Sequence, residues 1–391
     1  MRALQVRRST AKFGMARIAA AVAPLTAAKI GPLEYRNVDE PTVPGDGWVR
    51  LRPRLSGVCG SDLALLEGKA SAYFDPIVSF PFTPGHEVVA DVVDREQAGR
   101  RVVVIPLLHC RVRGIEPVCD ECAAGDTHLC ERTAFGHISP GLQCGFCEDT
   151  GGGWGPEMVA HECQLVPVPD DMTDEEAVLV EPMACAVHAV GGNAVTETII
   201  IGAGTLGLLT LAAIAHGYET FHPAPILVAA RYPHQQAIAK AIAATARIEH
   251  FTVTTPSKLA SMARLLSGSH LAGDQLTCGF DRVIDCVGSS ESITQAMQVV
   301  APGGEIDLVG MPGEVSLDLT SVWHREVSLR GRYAYRREDF DTAIEIIRRF
   351  DLGRLVSATY RLDEHVDAIA HAASAGRRGA VKITFDLRNK D

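Results

Sequence analysis

The stretch TIIIGAGTLGLLTLAAIA, residues 198–215, is the clearest indication of the fold class of this chain. A β-branched run leads into a turn with three glycines, and a run rich in Leu and Ala follows the turn. Gly202 allows a tight turn, Gly204 lets the backbone approach a pyrophosphate, and Gly207 lets the helix pack closely on the strand. The pattern predicts a strand–turn–helix unit that binds a dinucleotide at the N-terminus of its helix. The expected cofactor-binding residues are Gly202, Gly204, Thr205, Leu206 and Gly207.

Strands and helices alternate downstream of this unit. Further β-branched runs are PILVAA (225–230), FDRVIDCVG (280–288) and GEIDLVG (304–310). Helical segments rich in Ala lie between them, at 206–217, 234–246 and 291–301. Alternation of this kind predicts an α/β domain with a doubly wound parallel sheet and helices on both faces.

The end of the second strand bears on the choice of cofactor. A carboxylate at this point usually binds the ribose hydroxyls of NAD. Here the strand ends in Ala230, which is followed by Arg231 and Tyr232. A missing carboxylate beside an arginine suits the 2′-phosphate of NADP, so we expect NADP(H) rather than NAD(H). The alternative is that Arg231 is an ordinary surface arginine.

The first 165 or so residues differ in composition from the α/β part, with many Gly and Pro residues. Short β-like runs closed by turn residues predict a mostly-β domain. Examples are WVRLRPRL (48–55), EVVADVVD (87–94) and RVVVIPLL (101–108). We expect a catalytic domain over 1–190 that is completed by 331–391, and a dinucleotide-binding domain over 191–330.

One helix is predicted between these two domains. Asp170 or Thr173 can cap it, and acidic residues 174–176 fill its first turn. The run AVLVEPMACAVHAV then continues the helix to residue 190.

Composition and charge restrict the class of protein. Hydrophobic residues make up 47% and charged residues 22%, a composition that is typical of globular proteins. The net charge of −11 disfavours nucleic acid, because an acidic surface repels phosphates. No apolar run reaches the roughly 18 residues of a membrane span. The Ala-rich N-terminus resembles a weak signal peptide, but Arg17 and Lys29 bracket it, so we expect a cytoplasmic protein with no nucleic-acid and no membrane partner.

Three segments upstream of the glycine turn carry metal-ligand chemistry. Cys59 offers a thiolate, His86 an imidazole, and Glu87 or Glu181 a carboxylate. Three protein ligands and one open position allow zinc to act as a Lewis acid. A single Cys or His is commonly structural. Their joint occurrence before a dinucleotide motif predicts a catalytic zinc site.

A cysteine cluster predicts a second, structural zinc site. Four thiolates with no open position would hold a zinc ion that staples a loop. Glu116 could replace the first cysteine, although a closed zinc site favours sulfur. Cys144 and Cys147 form a competing CxxC pair, and reduced thiols without metal are the alternative to both. The preferred ligands are Cys110, Cys119, Cys122 and Cys130.

Taken in order, GVCGSD, PGHE, the spaced cysteines, VEP, GAGTLG and LVGMPG make the chain resemble the zinc-containing medium-chain dehydrogenase/reductase family. The resemblance covers nearly the whole chain. It implies a GroES-like catalytic domain, split in sequence around a Rossmann domain, and a homodimer or homotetramer. The implied reaction is zinc-dependent hydride transfer between a secondary alcohol, polyol or sugar hydroxyl and NADP(H), with zinc polarising the substrate oxygen.

The resemblance also assigns roles by position. Cys59, His86 and Glu87 match catalytic zinc positions. Glu181 matches an acidic position of polyol and sugar dehydrogenases, where it binds zinc or its water.

Four more positions match the family pattern. Ser61 matches the hydroxyl that contacts the substrate oxygen, and Asp62 matches a carboxylate that orients the metal-bound histidine. Val287 and Val309 fall where family members line the nicotinamide–ribose region.

Two departures from the family pattern point to its polyol and sugar branch. Ala64 stands where some alcohol dehydrogenases have a proton-relay histidine, and Gly60 stands where some have an arginine for the pyrophosphate. Three other functions stay open: action on a bulky natural-product alcohol, zinc-free reduction of an activated double bond, and non-catalytic NADP binding in regulation.

Overall fold

The computed structural model describes residues 1–20, 22–93, 98–191, 196–218 and 224–388. The chain divides into two compact units, Met1–Glu181 with Arg336–Asp391, and Pro182–Tyr335. The sequence placed the boundaries at 190/191 and 330/331. The limits of the units lie at 181/182 and 335/336 instead. The first differs because one helix, Val180–Val190, begins in the first unit and continues in the second.

The first unit is built mainly from antiparallel strands. Its sheet has the strand order β16 (Val356–Tyr360), β17 (Lys382–Asp386), β3 (Trp48–Gly57), β4 (Val88–Val92), β5 (Arg101–Val104) and β7 (Leu165–Pro167), and β6 (Met158–His161) also pairs with β3. β16 and β17 run parallel, and the other neighbouring pairs among the described strands of this sheet are antiparallel. Its N-terminal elements are β1 (Arg2–Val6), α1 (Thr10–Ala20), α2 (Pro24–Ile30), β2 (Leu33–Asn37), β3 (Trp48–Gly57), α3 (Gly60–Leu66), β4 (Val88–Val92), β5 (Arg101–Val104), α4 (Asp120–Ala123), β6 (Met158–His161), β7 (Leu165–Pro167) and α5 (Asp174–Ala177). The end of the predicted strand EVVADVVD, Asp94, lies outside the described residues.

The second unit is a parallel sheet covered by helices. Its elements, with the helix that leads into it, are α6 (Val180–Val190), β8 (Thr198–Ile201), α7 (Thr205–Gly217), β9 (Ile226–Ala229), α8 (Pro233–Thr245), β10 (Phe251–Thr254), α9 (Leu259–Ser267), β11 (Leu271–Ala272), β12 (Gln275–Leu276), β13 (Phe280–Asp285), α10 (Ser290–Val299), β14 (Val300–Leu308), α11 (Thr320–His324) and β15 (Ser328–Gly331). The remaining elements, α12 (Asp339–Arg349), β16 (Val356–Tyr360), α13 (His365–Ala373) and β17 (Lys382–Asp386), complete the first unit.

The order of the parallel sheet is β10-β9-β8-β13-β14-β15. Each neighbouring pair in it is parallel. This is the order of a doubly wound dinucleotide-binding fold, so the predicted fold class is confirmed. The central strands β8 and β9 are buried at every position, as a parallel sheet covered on both faces requires.

The single helix predicted after Pro169 is two helices, α5 and α6. Thr173 caps α5, because its Oγ1 accepts the N–H of Glu176 at 3.2 Å and Glu176 Oε2 accepts the N–H of Thr173 at 2.8 Å. Asp170 does not cap it. Pro182 explains the break, since a proline lacks the N–H and its ring clashes with the carbonyl four residues earlier, at Val178.

The Ala-rich N-terminal run is an insertion between two paired strands. β1 pairs with β2 in antiparallel register, with Val6 opposite Leu33, and the chain between them forms α1 and α2. Across the described residues, none of the helices is both long and apolar enough to cross a membrane.

Candidate metal centres and cofactor site

Strand pairing brings the predicted catalytic zinc ligands together in the first unit. Cys59 follows β3, and His86 and Glu87 immediately precede β4, which is antiparallel to β3. One ligand atom of each residue lies within 4.8 Å of the other two. His86 and Glu87 are buried, and Cys59 is half-buried. A thiolate, an imidazole and a carboxylate are a donor set that fits zinc, although the ligand role stays a prediction.

Asp62 ties the cysteine to the histidine. Its Oδ2 accepts the backbone N–H of Cys59 at 2.9 Å, and its Oδ1 lies 3.5 Å from Nδ1 of His86. Burial alone would lower the pKa of His86, but the negative charge of the neighbouring Asp62 raises that pKa well above its usual value. An acidic partner at Nδ1 leaves Nε2 as the nitrogen for a metal.

Glu87 already has a buried cationic partner, Lys382. Nζ of Lys382 contacts Oε2 of Glu87 and donates to the carbonyl of Val58 at 3.1 Å, and both ionic side chains are 2% exposed. The pair closes over Gly57, where a Cβ would lie only 1.8 Å from Oε2 of Glu87. Sequence reasoning missed Lys382, although a lysine within the apolar strand AVKITFD was a visible signal.

The other two residues predicted for this site lie on helices that start beside it. Glu181 is buried in the first turn of α6, and it is outside the group whose ligand atoms lie within 4.8 Å of one another. Burial would lower the pKa of Lys382, but the negative charges of Glu87, Cys59 and Glu181 raise it, so the Glu181 carboxylate acts on the same cluster. Ser61 lies on α3 and is half-buried.

The four preferred cysteines of the second site also come together. Their sulfur atoms lie within 4.8 Å of one another, and Sγ of Cys110 is 3.6 Å from Sγ of Cys130. Backbone N–H groups of Cys119 and Arg132 point at these two sulfur atoms, each at 3.4 Å. Burial raises the pKa of Cys130 to about 11, so a metal ion would have to displace protons from the thiols.

The competing ligands lie elsewhere. Cys144 and Cys147 are fully buried in the hydrophobic core of the first unit, and the group of four contains neither of them nor Glu116. Arg113, which the sequence did not single out, is fully buried beside the cysteines. Its guanidinium donates to the carbonyls of Leu108, Phe135, Ile138, Ser139 and Gly141.

In the glycine turn of the second unit, Gly202 and Gly207 stand where a side chain would not fit, and Gly204 faces open space. Gly202 has a φ of +92°, and a Cβ there would lie 2.5 Å from Cγ2 of Val287. A Cβ on Gly207 would lie 1.9 Å from the carbonyl oxygen of Gly202. Gly204 immediately precedes α7, and a Cβ there would meet open space. An anion can therefore approach the helix N-terminus at Gly204.

A cleft of about 210 Å³ opens at this turn. Of the predicted cofactor residues, Gly202, Gly204, Arg231, Tyr232 and Val287 line it. Five others do not: Thr205 and Leu206 lie in α7, Gly207 packs on Gly202, Ala230 is fully buried, and the N–H of Val309 bonds to the carbonyl of Asp285 at 2.9 Å. Lining residues that the sequence missed are Ile201, Ala203, Ala229, Gln235, Pro256, Ser289, Glu291, Ser292 and Gln295.

Asp285 shapes one wall of the cleft. The buried carboxylate accepts the N–H of Val287 at 2.9 Å, the N–H of Gly288 at 3.3 Å and the hydroxyl of Ser292 at 2.9 Å. Burial raises the pKa of Asp285, and these hydrogen bonds oppose the rise. The loop after β13 is thereby fixed against the glycine turn.

Comparison with protein families matches both parts of the chain. Residues 45–170 match the alcohol dehydrogenase GroES-like domain, and residues 209–349 match the zinc-binding dehydrogenase domain. L-idonate 5-dehydrogenase of Vitis vinifera is 28% identical over 355 residues, which are 87% of this chain and 88% of that protein. D-xylulose reductase A of Aspergillus oryzae is 27% identical over 336 residues, which are 83% and 86%.

A solved structure has the same fold over nearly the full length. A protein of Sinorhizobium meliloti 1021, bound to NADP, superposes with a TM-score of 0.70 at 22% identity. The match covers 98% of this chain and 99% of that one. The predicted pairing of a GroES-like domain with a Rossmann domain is confirmed.

Proposed function

The chain belongs to the zinc-containing medium-chain dehydrogenase/reductase family, and we propose that it interconverts a secondary alcohol, polyol or sugar hydroxyl and its carbonyl by hydride transfer with NADP(H). One observation carries the proposal: the thiolate of Cys59 and the imidazole of His86 converge within 4.8 Å, with Asp62 held against both. A protein that only bound the dinucleotide would have no use for that cluster.

Cys59 and His86 are two of the proposed protein ligands of the catalytic zinc, and Glu181 is the third. Glu87 is ion-paired with Lys382. If Glu87 bound a metal, the buried ammonium group of Lys382 would lose its counter-charge, which costs several kcal/mol. Glu181 is a buried carboxylate whose charge reaches the same lysine, so it can supply the remaining oxygen ligand. Glu87 then acts as the counter-charge of Lys382 beside the metal.

The chemistry divides between the bound groups and the side chains. Zinc held there would supply Lewis acidity, and the nicotinamide would accept or donate the hydride. Ser61 contacts the reacting hydroxyl and passes its proton towards solvent, since Ala64 offers no relay group. Asp62 keeps the imidazole of His86 in one orientation through Nδ1.

NADP(H) is the proposed cofactor. Arg231 is exposed at the cleft directly after β9, and no acidic residue stands at the end of that strand. The similar Sinorhizobium protein binds NADP, which supports the assignment. Arg231→Gln is expected to weaken NADPH binding at least tenfold and to leave NADH binding within twofold, because a charge-assisted phosphate contact is worth about 1.5–3 kcal/mol. Titration of both cofactors by fluorescence measures the ratio.

A polyol or sugar hydroxyl is the proposed substrate class. Ala64 and Gly60 depart from the simple-alcohol pattern, and the two relatives named above act on idonate and xylulose. We place the enzyme in the cytoplasm, because sites with several thiolate ligands need reduced cysteines.

A homodimer is the proposed assembly. β15 ends the order of the parallel sheet, and its residues are exposed. Trp323 on the preceding helix is 79% exposed, and an exposed edge strand beside a large apolar side chain is a surface that proteins usually cover. Trp323→Glu is expected to convert the dimer to a monomer in light scattering after gel filtration.

The test of the function is turnover with a matched cysteine control. Purified protein is supplied with NADP⁺ and a panel of polyols and sugars, and with NADPH and the matching ketoses. Cys59→Ser is expected to abolish NADPH formation, whereas Cys278→Ser, at an exposed cysteine, keeps it. Turnover that survives Cys59→Ser in metal-stripped protein would refute the proposal.

A further inference from the structure

The helix α1 in the N-terminal insertion is apolar on two opposite sides. Ala16 is fully buried, and the ring of Phe13 packs 6.5 Å from that of Phe80. On the other side, Met15 and Ile18 are 47% and 77% exposed, one helical turn apart. A surface helix ordinarily turns polar residues to water. The outer side of α1 is therefore suited to an apolar contact.

Two more exposed apolar residues follow α1. Val22 is 86% exposed in the turn after α1, and Leu25 in α2 is 53% exposed. We call Met15, Ile18, Val22 and Leu25 the N-terminal patch. Scattered single apolar residues are common on protein surfaces, but a group of this size within one hairpin marks an interaction site.

The charge of the insertion is opposite to that of the whole chain. Residues 7–32, which form the insertion, contain five Lys and Arg and no Asp or Glu, whereas the chain carries a net charge of −11. Arg17 and Lys29 are exposed next to the patch residues Ile18 and Leu25. Long basic side chains beside aliphatic residues can rest on an apolar surface and still reach anionic groups. The ligand chemistry is therefore apolar with negative charge at its surface.

We propose that the N-terminal patch docks the enzyme on an anionic phospholipid surface. The patch residues are aliphatic or thioether side chains without aromatic anchors, and they would enter the boundary between headgroups and acyl chains. The cations would bind the negative headgroups of the cytoplasmic leaflet. The docking revises the expectation of no membrane partner, which rested on the absence of a spanning segment. It leaves the proposed dehydrogenase function unchanged.

Vesicle co-sedimentation of the full chain tests the proposal. We expect binding to phosphatidylcholine vesicles that contain phosphatidylglycerol, and little binding to phosphatidylcholine alone. The double variant Ile18→Glu/Val22→Glu should lose its binding to the vesicles that contain phosphatidylglycerol. Arg17→Gln/Lys29→Gln should weaken binding to the anionic vesicles about fivefold for each charge removed, the equivalent of about 1 kcal/mol each.

Matched controls come from the second unit. Leu265→Glu removes a side chain that is 74% exposed, and Lys240→Gln removes an exposed charge; both should bind vesicles as the unaltered protein does. Thermal unfolding verifies that the patch variants fold, since their side chains are exposed. Absence of binding to anionic vesicles would overturn the proposal, and so would equal binding to neutral ones. A smaller oligomer for Ile18→Glu/Val22→Glu, without lipid binding by the unaltered protein, would assign the patch to a second copy of the chain.

Discussion

Removal of Lys382 tests the ion pair under the catalytic site. Lys382→Met keeps most of the side-chain volume but leaves the Glu87 carboxylate, 2% exposed, without its cation. Breaking a buried pair by removing one partner costs about 3–5 kcal/mol, because the remaining charge is buried unpaired. We expect that loss in the free energy of unfolding of the metal-free first unit. The double variant Glu87→Gln/Lys382→Met removes both charges and should recover most of the loss.

Fluorescence can follow the first unit alone. The chain has three tryptophans, of which Trp48 and Trp154 are buried in the first unit and Trp323 lies in the second. In a Trp323→Phe background, urea unfolding monitored by tryptophan emission therefore reports the unit that holds the pair. Lys29→Met, at an exposed position of the first unit, is the matched control, with an expected change within about 0.5 kcal/mol. A Lys382→Met cost no larger than the control, or a double variant no more stable than the single one, would refute the reasoning.

Three further predictions concern the metal and cofactor sites. Cys122→Ser should remove one zinc ion per chain, measured by elemental mass spectrometry, because a closed site needs all four thiolates; unchanged zinc content would contradict the structural site. Gly207→Ala places a Cβ 1.9 Å from the carbonyl oxygen of Gly202, so calorimetry should show NADPH binding weakened more than tenfold. Asp62→Asn removes the anionic partner of His86 and should lower zinc affinity about 10- to 100-fold in a competition titration with a chelator, and an unchanged affinity would count against the positioning role.

The parts of the fold that the sequence predicts are those set by local patterns. The β8–turn–α7 unit depends on three glycines within six residues, and Gly202 takes the positive φ that its place in the motif requires. The cysteine cluster is similarly local, since its ligands fall within 21 residues from Cys110 to Cys130. The break before α6 was not predicted, although Pro182 stands in the sequence.

Contacts between residues that strand pairing brings together could not be predicted from the sequence. Lys382 reaches Glu87 because β17 pairs with β3 and β3 pairs with β4, and no local pattern fixes that order. The same limit hid the N-terminal insertion. Only the pairing of Val6 with Leu33 shows that the Ala-rich run leaves the sheet and returns to it. Asp285 was missed because its partners are mostly backbone N–H groups, which carry no residue signature.

Zinc content and turnover, measured on the same samples, test whether Cys59 holds a catalytic metal. We expect two zinc ions per chain in the unaltered protein and one in Cys59→Ser, with NADPH binding intact and dehydrogenase activity lost. Two zinc ions in Cys59→Ser, or continued oxidation of a polyol by that variant after metal removal, would contradict this expectation.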